Sequence, residues 1–541
     1  MKTFSNLKVL IIDDASIVVV TLKSMLIKIG FNDRLISYCS SAKASIQLAR
    51  QEPYDLILCD YNLGRSMNGK QVFEEMKHLG LLHEKSVFVL ITGENSSTVV
   101  HSIVELKPDD YLLKPFNVLS LKERVNAAIN RKHALYQIYQ AQAKHQFEEG
   151  LERCDELLPF YPEYHFIIAR FKGEFLNRLQ LHDESKKLYE SILERKHYDW
   201  ATIGLANSLM HLGEKNTAHN MLSKLLASKP NSTVLRTAAA NLSLINNEIP
   251  AAIRHFELAS KIVRGNSERE LVICNLCLGV GDYQNALQRY RIYMEINKET
   301  FRNTIFAKIN LVRIILYSCY DNSAEENVAR LNEAKTLYSQ IIGMKEAAKL
   351  QVELDLILAH IAMQEQQYGL AISKLNQVHR QLDLAHFYPL YQFAWLLNHM
   401  NFDTEFTKLI PRCSEIIQRN QSENVCASQI TMLNQLQQTN TEKLQWLESK
   451  HQYIKANKMT LSELLKIYIE INRRCPFLQS VCMSIIKLLA RRLPKDADVS
   501  VLLKVVHQCD TVIRQLVEPE ELAKSDYDQL YNSIITNYIV V

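Results

Sequence analysis

Leu7–Asp14 reads LKVLIIDD, an apolar run that stops on two aspartates. Its brevity and branched side chains mark Leu7–Ile12 as a buried strand with a charged carboxyl end. Outward from it the pattern alternates. Ile17–Ile29 has helical spacing and closes at Gly30, a residue suited to the left-handed position after a helix. Arg34–Tyr38 is a second strand, and Ala42–Gln51 a helix stopped before Pro53. Asp55–Cys59 (DLILC) is a third strand; Gln71–Leu79 is a helix followed by Gly80. Ser86–Ile91 (SVFVLI) is a fourth strand, Ser97–Leu106 a helix, Tyr111–Leu113 part of a short fifth strand and Val118–Asn130 a helix. Strands alternating with helices predict a parallel sheet covered on both faces.

In such sheets ligands bind at the carboxyl ends of the strands. Asp13 and Asp14 end the first strand, Asp60 the third, Thr92 the fourth and Lys114 the fifth. Three carboxylates brought together repel one another, and a hard divalent cation relieves that repulsion; oxygen donors suit Mg2+. A carboxylate can attack phosphorus, and phosphoryl transfer then needs mainly charge neutralisation, which a metal and Lys114 supply.

The motifs IIDD (11–14), LCDYN (58–62), ITGE (91–94) and DDYLLKPF (109–116) resemble the receiver domain of two-component response regulators. The resemblance covers about the first quarter of the chain. It implies a flavodoxin-like five-stranded sheet of order 2-1-3-4-5. It also implies that Asp60 accepts a phosphoryl group from a histidine kinase or phosphotransfer protein. Asp14 would hold Mg2+ directly, Asp13 largely through water, and Asp60 and the Asn62 backbone carbonyl would complete the ligands. Lys114 would pair with the phosphate, and Lys114–Pro115 would be a cis peptide. Thr92 and Tyr111 would form the switch, the ring turning into space that the hydroxyl vacates. Asn62 and Glu94 occupy the two lifetime-tuning positions and match fast-resetting chemotaxis receivers, which implies a short-lived phosphoryl group. One departure lies in YNLGRSMNG (61–69): Leu63-Gly64 stands where the family has a proline, and Gly69 comes one residue late.

Beyond Arg131 the strand pattern ends. A trio recurs: a small residue, an aromatic or aliphatic one four later, an apolar one three further on. It occurs at Gly150/Cys154/Leu157, Ser185/Tyr189/Ile192, Ala218/Leu222/Leu225, Ala252/Phe256/Ala259 and Ala286/Tyr290/Tyr293, with leading residues 35, 33, 34 and 34 apart. Pro162 and Pro230 lie 68 apart. Fainter copies sit at Ala334/Tyr338/Ile341 and Ala371/Leu375/Val378. This resembles the tetratricopeptide repeat, which implies an α-solenoid and a protein partner. Gly150 alone interrupts Val118–Leu158, so the last receiver helix is expected to run nearly unbroken to the first repeat.

The expected organisation is therefore an α/β receiver (1–132), tetratricopeptide-like repeats (133–400) and a helical region (401–541) with possible further degenerate repeats. The layout resembles auxiliary receiver–repeat regulators of multi-component systems. The leading functional expectation is a phosphorylation-switched protein-binding regulator, with dimerisation through the receiver open. The alternative is a DNA-binding transcriptional regulator using amphipathic segments 460–474 and 480–493, whose Arg pairs more simply offset helix dipoles.

Length and composition agree with this. A chain of 541 residues needs more than one core, and only 14 Gly and 12 Pro favour helix over turn-rich β structure. A net charge of +4 makes no global case for nucleic acid. Eleven scattered cysteines and a first apolar run cut by Asp13 and Asp14 fit a reducing cytoplasm without a leader or membrane span. Cys274 and Cys277 read as small core residues on one helix, and Trp200, Trp395 and Trp446 as packing residues. No nucleophile–base pair, phosphate loop or H-E-x-x-H motif in 131–541 points to an enzyme.

Overall fold

The computed structural model describes residues 4–64, 67–94, 97–320, 324–381, 385–417, 422–491 and 499–539. Five strands, β1 (Val9–Ile12), β2 (Ile36–Cys39), β3 (Leu56–Asp60), β4 (Val87–Thr92) and β5 (Asp110–Leu113), form a parallel sheet of order β2-β1-β3-β4-β5. The helices between and after them are α1 (Ser16–Ile29), α2 (Ala42–Gln51), α3 (Gly69–His78), α4 (Ser97–Leu106) and α5 (Val118–Ala134). Successive residues of β1 feed two cores. Val9 and Ile11 join α1 and α5, whereas Leu10 and Ile12 join α2, α3 and α4. Burial on both faces is why the strands read as continuous apolar runs rather than alternating ones.

Two element starts differ from the sequence reading. β2 begins later, because Asp33–Leu35 forms one 3-10 turn, held by the Arg34 N–H donating to Asn32 Oδ1. α3 begins two residues earlier: Asn68 and Gln71 make a reciprocal capping box, which places Gly69 inside the helix.

The expected unbroken linker is also corrected. α5 continues to Ala134 and hands over at Leu135 to α6 (Tyr136–Ala143). The chain then stops at Lys144 and turns through His145, whose φ of 57° is left-handed, into α7 (Phe147–Leu157). The break precedes Gly150. That glycine is needed instead for packing, since a Cβ there would lie 2.6 Å from the Phe175 ring.

Hairpins of the same build follow: α8 (His165–Arg178) with α9 (His182–Arg195), α10 (Asp199–His211) with α11 (Lys215–Ser228), and α12 (Thr233–Ile245) with α13 (Ile249–Ile262). Next come α14 (Ser267–Gly279) with α15 (Tyr283–Ile296), α16 (Ile305–Ser318) with α17 (Ala324–Ile342), α18 (Gln351–Gln364) with α19 (Tyr368–Gln381), and α20 (Phe387–His399) with α21 (Asp403–Ile417). Ser185, Ala218, Ala252, Ala286 and Ala371 are each the fourth residue of a second helix and wholly buried. Five residues before each stands a left-handed residue: Gln180, Gly213, Asn247, Gly281 and Gln366. The same turn recurs at Asn401, ahead of buried Phe406. Helices Glu423–Ala456, Leu461–Arg474, Gln479–Arg491, Val499–Leu516, Pro519–Lys524 and Tyr527–Ile539 complete the chain.

The chain divides into two compact units. One comprises residues 1–269 with 295–303; the other comprises 270–294 with 304–541. In the first, the sheet domain and the early hairpins pack together. The second holds a buried polar cluster, in which Arg313 pairs with Glu353 at 2.8 Å and donates to Gln392. Cys274 and Cys277 are fully buried there among apolar side chains. Trp395 is buried, and Arg474 lies 4.7 Å over the half-buried Trp446 ring. Arg492 and Leu493, part of segment 480–493, fall outside the described residues. Among the described residues no helix is long and apolar enough to cross a membrane.

Candidate functional site

The parallel sheet brings the carboxyl ends of β1, β3, β4 and β5 to one edge. There Lys114 donates from Nζ to Asp60 Oδ1 at 2.6 Å and to Asp13 Oδ2 at 3.0 Å. Asp13, Asp60 and Thr92 are buried, at 2%, 8% and 1% exposure, while Asp14 is exposed. The second Asp60 oxygen accepts from the Asn62 backbone N–H at 2.9 Å, and Asp13 Oδ1 accepts from Ala15 N–H at 2.9 Å. Burial pushes the Asp60 carboxyl above the ordinary carboxylate range, although Lys114 draws it down. For Lys114, burial opposes the charge, but bonds to Asp60 and Asp13 outweigh it and raise the ammonium.

Thr92 Oγ1 accepts the Glu94 backbone N–H at 3.1 Å. The Glu94 carboxylate accepts from Asn62 Nδ2 at 2.8 Å, so the two exposed side chains join across the rim. Tyr111 pairs with Leu90 on the neighbouring strand, two residues short of Thr92. Its half-buried ring packs against the α2–α4 core, with the Arg124 guanidinium 5.7 Å from the ring centre. The Lys114–Pro115 peptide is cis.

Two glycines shape the pocket. Gly64, at φ 78°, places the loop beside Asp14; a Cβ there would lie 3.5 Å from Asp14 Oδ2. At Gly69 a Cβ would lie 2.3 Å from the Asp60 carbonyl oxygen, so α3 starts directly on the Asp60 backbone. Arg65 and Ser66 of the departing loop fall outside the described residues.

The donor set is all oxygen, and Asp13, Asp14 and Asp60 outnumber the single ammonium between them. That chemistry fits a hard divalent cation such as Mg2+. Among the described residues no three acidic, histidine or cysteine side chains are gathered tightly enough to chelate an ion, and Lys114 takes one oxygen each from Asp13 and Asp60.

Sequence reasoning missed an exposed apolar pair next to the acidic edge. Ile17 and Val20 on α1 are 83% and 67% exposed. The buried stripe of α1 is Val19, Leu22, Leu26 and Ile29, so apolar residues off that stripe were the available signal.

Residues 9–126 match the family model described as response regulator receiver domain. The chain is similar to the transcriptional regulatory protein YvrH of Bacillus subtilis (31% identity over 128 residues, 24% of this chain) and spans about half of that protein's length (51%). It is similar to chemotaxis protein CheY-3 of Vibrio cholerae at 26% identity over 132 residues, covering 23% of this chain and 94% of the relative. A solved structure, the N-terminal domain of a response regulator/sensory box/GGDEF protein from Carboxydothermus hydrogenoformans, is similar at 24% identity over 24% of this chain and 97% of that one, with a TM-score of 0.21. With the strand order, the acidic edge and the family match in agreement, the N-terminal part of this chain is a two-component response regulator receiver domain.

Proposed function

We propose that the chain is a phosphorylation-switched regulator: Asp60 accepts a phosphoryl group, and the change alters which protein the helical repeats hold. The observation that carries this reading is Lys114 bonded at once to Asp60 and Asp13 at the sheet edge. Asp60 supplies the nucleophilic oxygen, and Lys114 stays to neutralise charge on the transferred group. Asp13, Asp14, Asp60 and the Asn62 carbonyl would hold Mg2+, which supplies further neutralisation when bound. Thr92 is within one residue of the rim and offers a hydroxyl to the new phosphoryl oxygens; Tyr111 on the adjacent strand follows it.

The donor is a sensor histidine kinase or phosphotransfer protein. Exposed Ile17 and Val20, a few residues beyond Asp14, give that partner an apolar foothold beside the acceptor. The output is protein binding by the tetratricopeptide-like hairpins, in a reducing cytoplasm, with no catalytic output; the receiver offers a surface for self-association. The DNA-binding reading is not favoured: the likeness to YvrH covers 24% of the chain, and Arg473 and Arg474 sit in the last turn of their helix, with Arg474 over Trp446.

The test is affinity capture with wild type and Asp60→Ala, each with and without Mg2+ and beryllofluoride. The captured proteins should change with beryllofluoride for wild type alone. Identical captures in all four conditions would refute a switch.

A further inference from the structure

The first compact unit contains a second set of contacts that the acceptor chemistry does not use. The outer face of α3 and the end of α4 are gripped by two segments of the chain's own repeats, residues 263–269 and 296–302. Arg269, 4% exposed, makes a bidentate pair with Glu105 of α4, at 3.1 Å and 3.0 Å. Asn266 Nδ2 donates to the same carboxylate at 3.1 Å. Burial alone would raise the Glu105 carboxyl, but Arg269 overrides it and holds it below its ordinary value. On α3, buried Lys70 donates to the Gly265 carbonyl at 3.3 Å, and Gln71 Nε2 to the Ile296 carbonyl at 2.8 Å. The Phe301 N–H donates to Glu75 at 2.9 Å and Arg302 to Glu74 at 2.8 Å, while His78 stacks on Phe301 at 3.7 Å.

Both gripped helices are wired to the acceptor. α3 begins at Gly69, which abuts the Asp60 carbonyl and donates its N–H to Tyr61. α4 follows Thr92 and Glu94 by a few residues, and Thr92 Oγ1 holds the Glu94 N–H. A phosphoryl group on Asp60 competes for the Thr92 hydroxyl and for Lys114. The pull is passed toward α4, whose far end carries Glu105. A bidentate, desolvated ion pair tolerates small displacements poorly.

We propose that this clasp is an autoinhibitory contact: residues 263–269 and 296–302 hold α3 and α4 in the unphosphorylated arrangement, and a phosphoryl group on Asp60 releases them. It rests on Asp60 being the acceptor. Linkage requires the reverse effect as well: a clasp that favours the unphosphorylated form weakens equilibrium binding of a phosphoryl mimic at Asp60.

The Phe301 amide is a direct reporter, because its hydrogen-bond acceptor is a receiver carboxylate. Full-length protein is treated with acetyl phosphate and Mg2+, its Asp60 occupancy read by mass spectrometry, and amide exchange followed over 263–269 and 296–303. With Asp60 labelled, exchange of these segments should rise about tenfold or more; unchanged or slower exchange in labelled protein overturns the clasp proposal alone. Absence of label overturns the acceptor reading and the clasp with it. In parallel, Arg269→Ala and the isosteric Glu105→Gln, each checked for wild-type helicity, should bind beryllofluoride in the presence of Mg2+ at least about fivefold more tightly than wild type. Equal or weaker beryllofluoride binding by folded Glu105→Gln also overturns the proposal.

Discussion

At the scale of single residues, the acidic pocket is a problem of charge excess that Lys114 only partly solves. Replacing Lys114 by Ala leaves Asp60 buried beside Asp13 without its cation, which disfavours the ionised form of Asp60. Lys114→Ala should therefore retain the fold and lose phosphoryl labelling by about a hundredfold or more, measured as intact-mass gain with acetyl phosphate. At the rim, Asn62 and Glu94 join by a 2.8 Å hydrogen bond, and under the proposed function they would orient a hydrolytic water. The pair Asn62→Ala with Glu94→Ala should slow loss of the phosphoryl group by about tenfold or more; an unchanged decay would remove their assigned role. The residues of this pocket were legible in the sequence because each stands at the end of an apolar run, where strand polarity leaves it only one place to go. Ile17 and Val20 were not read: they stand off the apolar stripe of α1, a signal that shows only once the helix periodicity is laid out. Gly69 was legible as a displaced family glycine, but not its reason, which is the approach of a backbone carbonyl.

At the scale of elements, six hairpins (α6–α7, α8–α9, α10–α11, α12–α13, α14–α15 and α18–α19) place a left-handed turn residue five positions before a buried small one. The small residue is read easily: it is Gly, Ser or Ala, and Gly150 shows why. The Phe175 ring lies where its Cβ would sit, at 2.6 Å. The turn residue was not read, since His145, Gln180, Gly213, Asn247 and Gln366 share a backbone conformation and no side-chain chemistry. The capping of α3 escaped notice for the related reason that its cap, Asn68, ends a loop departing from the family pattern. A prediction follows at Gln180, exposed at φ 61°. Gln180→Gly should stabilise the repeats by about 0.5–1 kcal/mol and Gln180→Val should destabilise them, read as shifts in urea midpoint. Equal midpoints for both variants would contradict the strain argument.

At the scale of the whole molecule, the sequence shows where the period changes, near residue 132, but compactness follows contacts, and the first unit extends to residue 269. The clasp explains the difference within that unit: Glu105 with Arg269 and Glu75 with Phe301 are ordinary residue types far apart in the chain, and nothing local announces their pairing. The second unit carries its own pH dependence. Burial lowers His360 to about 3 and His399 to about 4, from an ordinary 6.5, with His399 adding to the shift at His360 and Lys443 to that at His399. Both imidazoles are neutral when folded and take up protons near pH 6.5 when unfolded. Their contribution is thus complete above 6.5 and declines as pH falls toward 4 and 3. From pH 6.5 to 5 the loss is about 2 kcal/mol for each. Urea unfolding at the two pH values should show it, and His399→Phe, which keeps the stack on Trp395, should shrink it by roughly half. A wild-type midpoint unchanged between pH 6.5 and 5 would mean that these rings are not desolvated as described.

The central claim, that Asp60 takes a phosphoryl group by virtue of the charges around it, is tested most directly by intact-mass and peptide mapping after acetyl phosphate treatment. Wild type with Mg2+ should gain one phosphoryl group on Asp60, and both chelation by EDTA and Asp60→Asn should abolish it. Failure of wild type to gain any label at Asp60 from acetyl phosphate or from a competent kinase, or equal labelling of Asp60→Asn, would contradict the account.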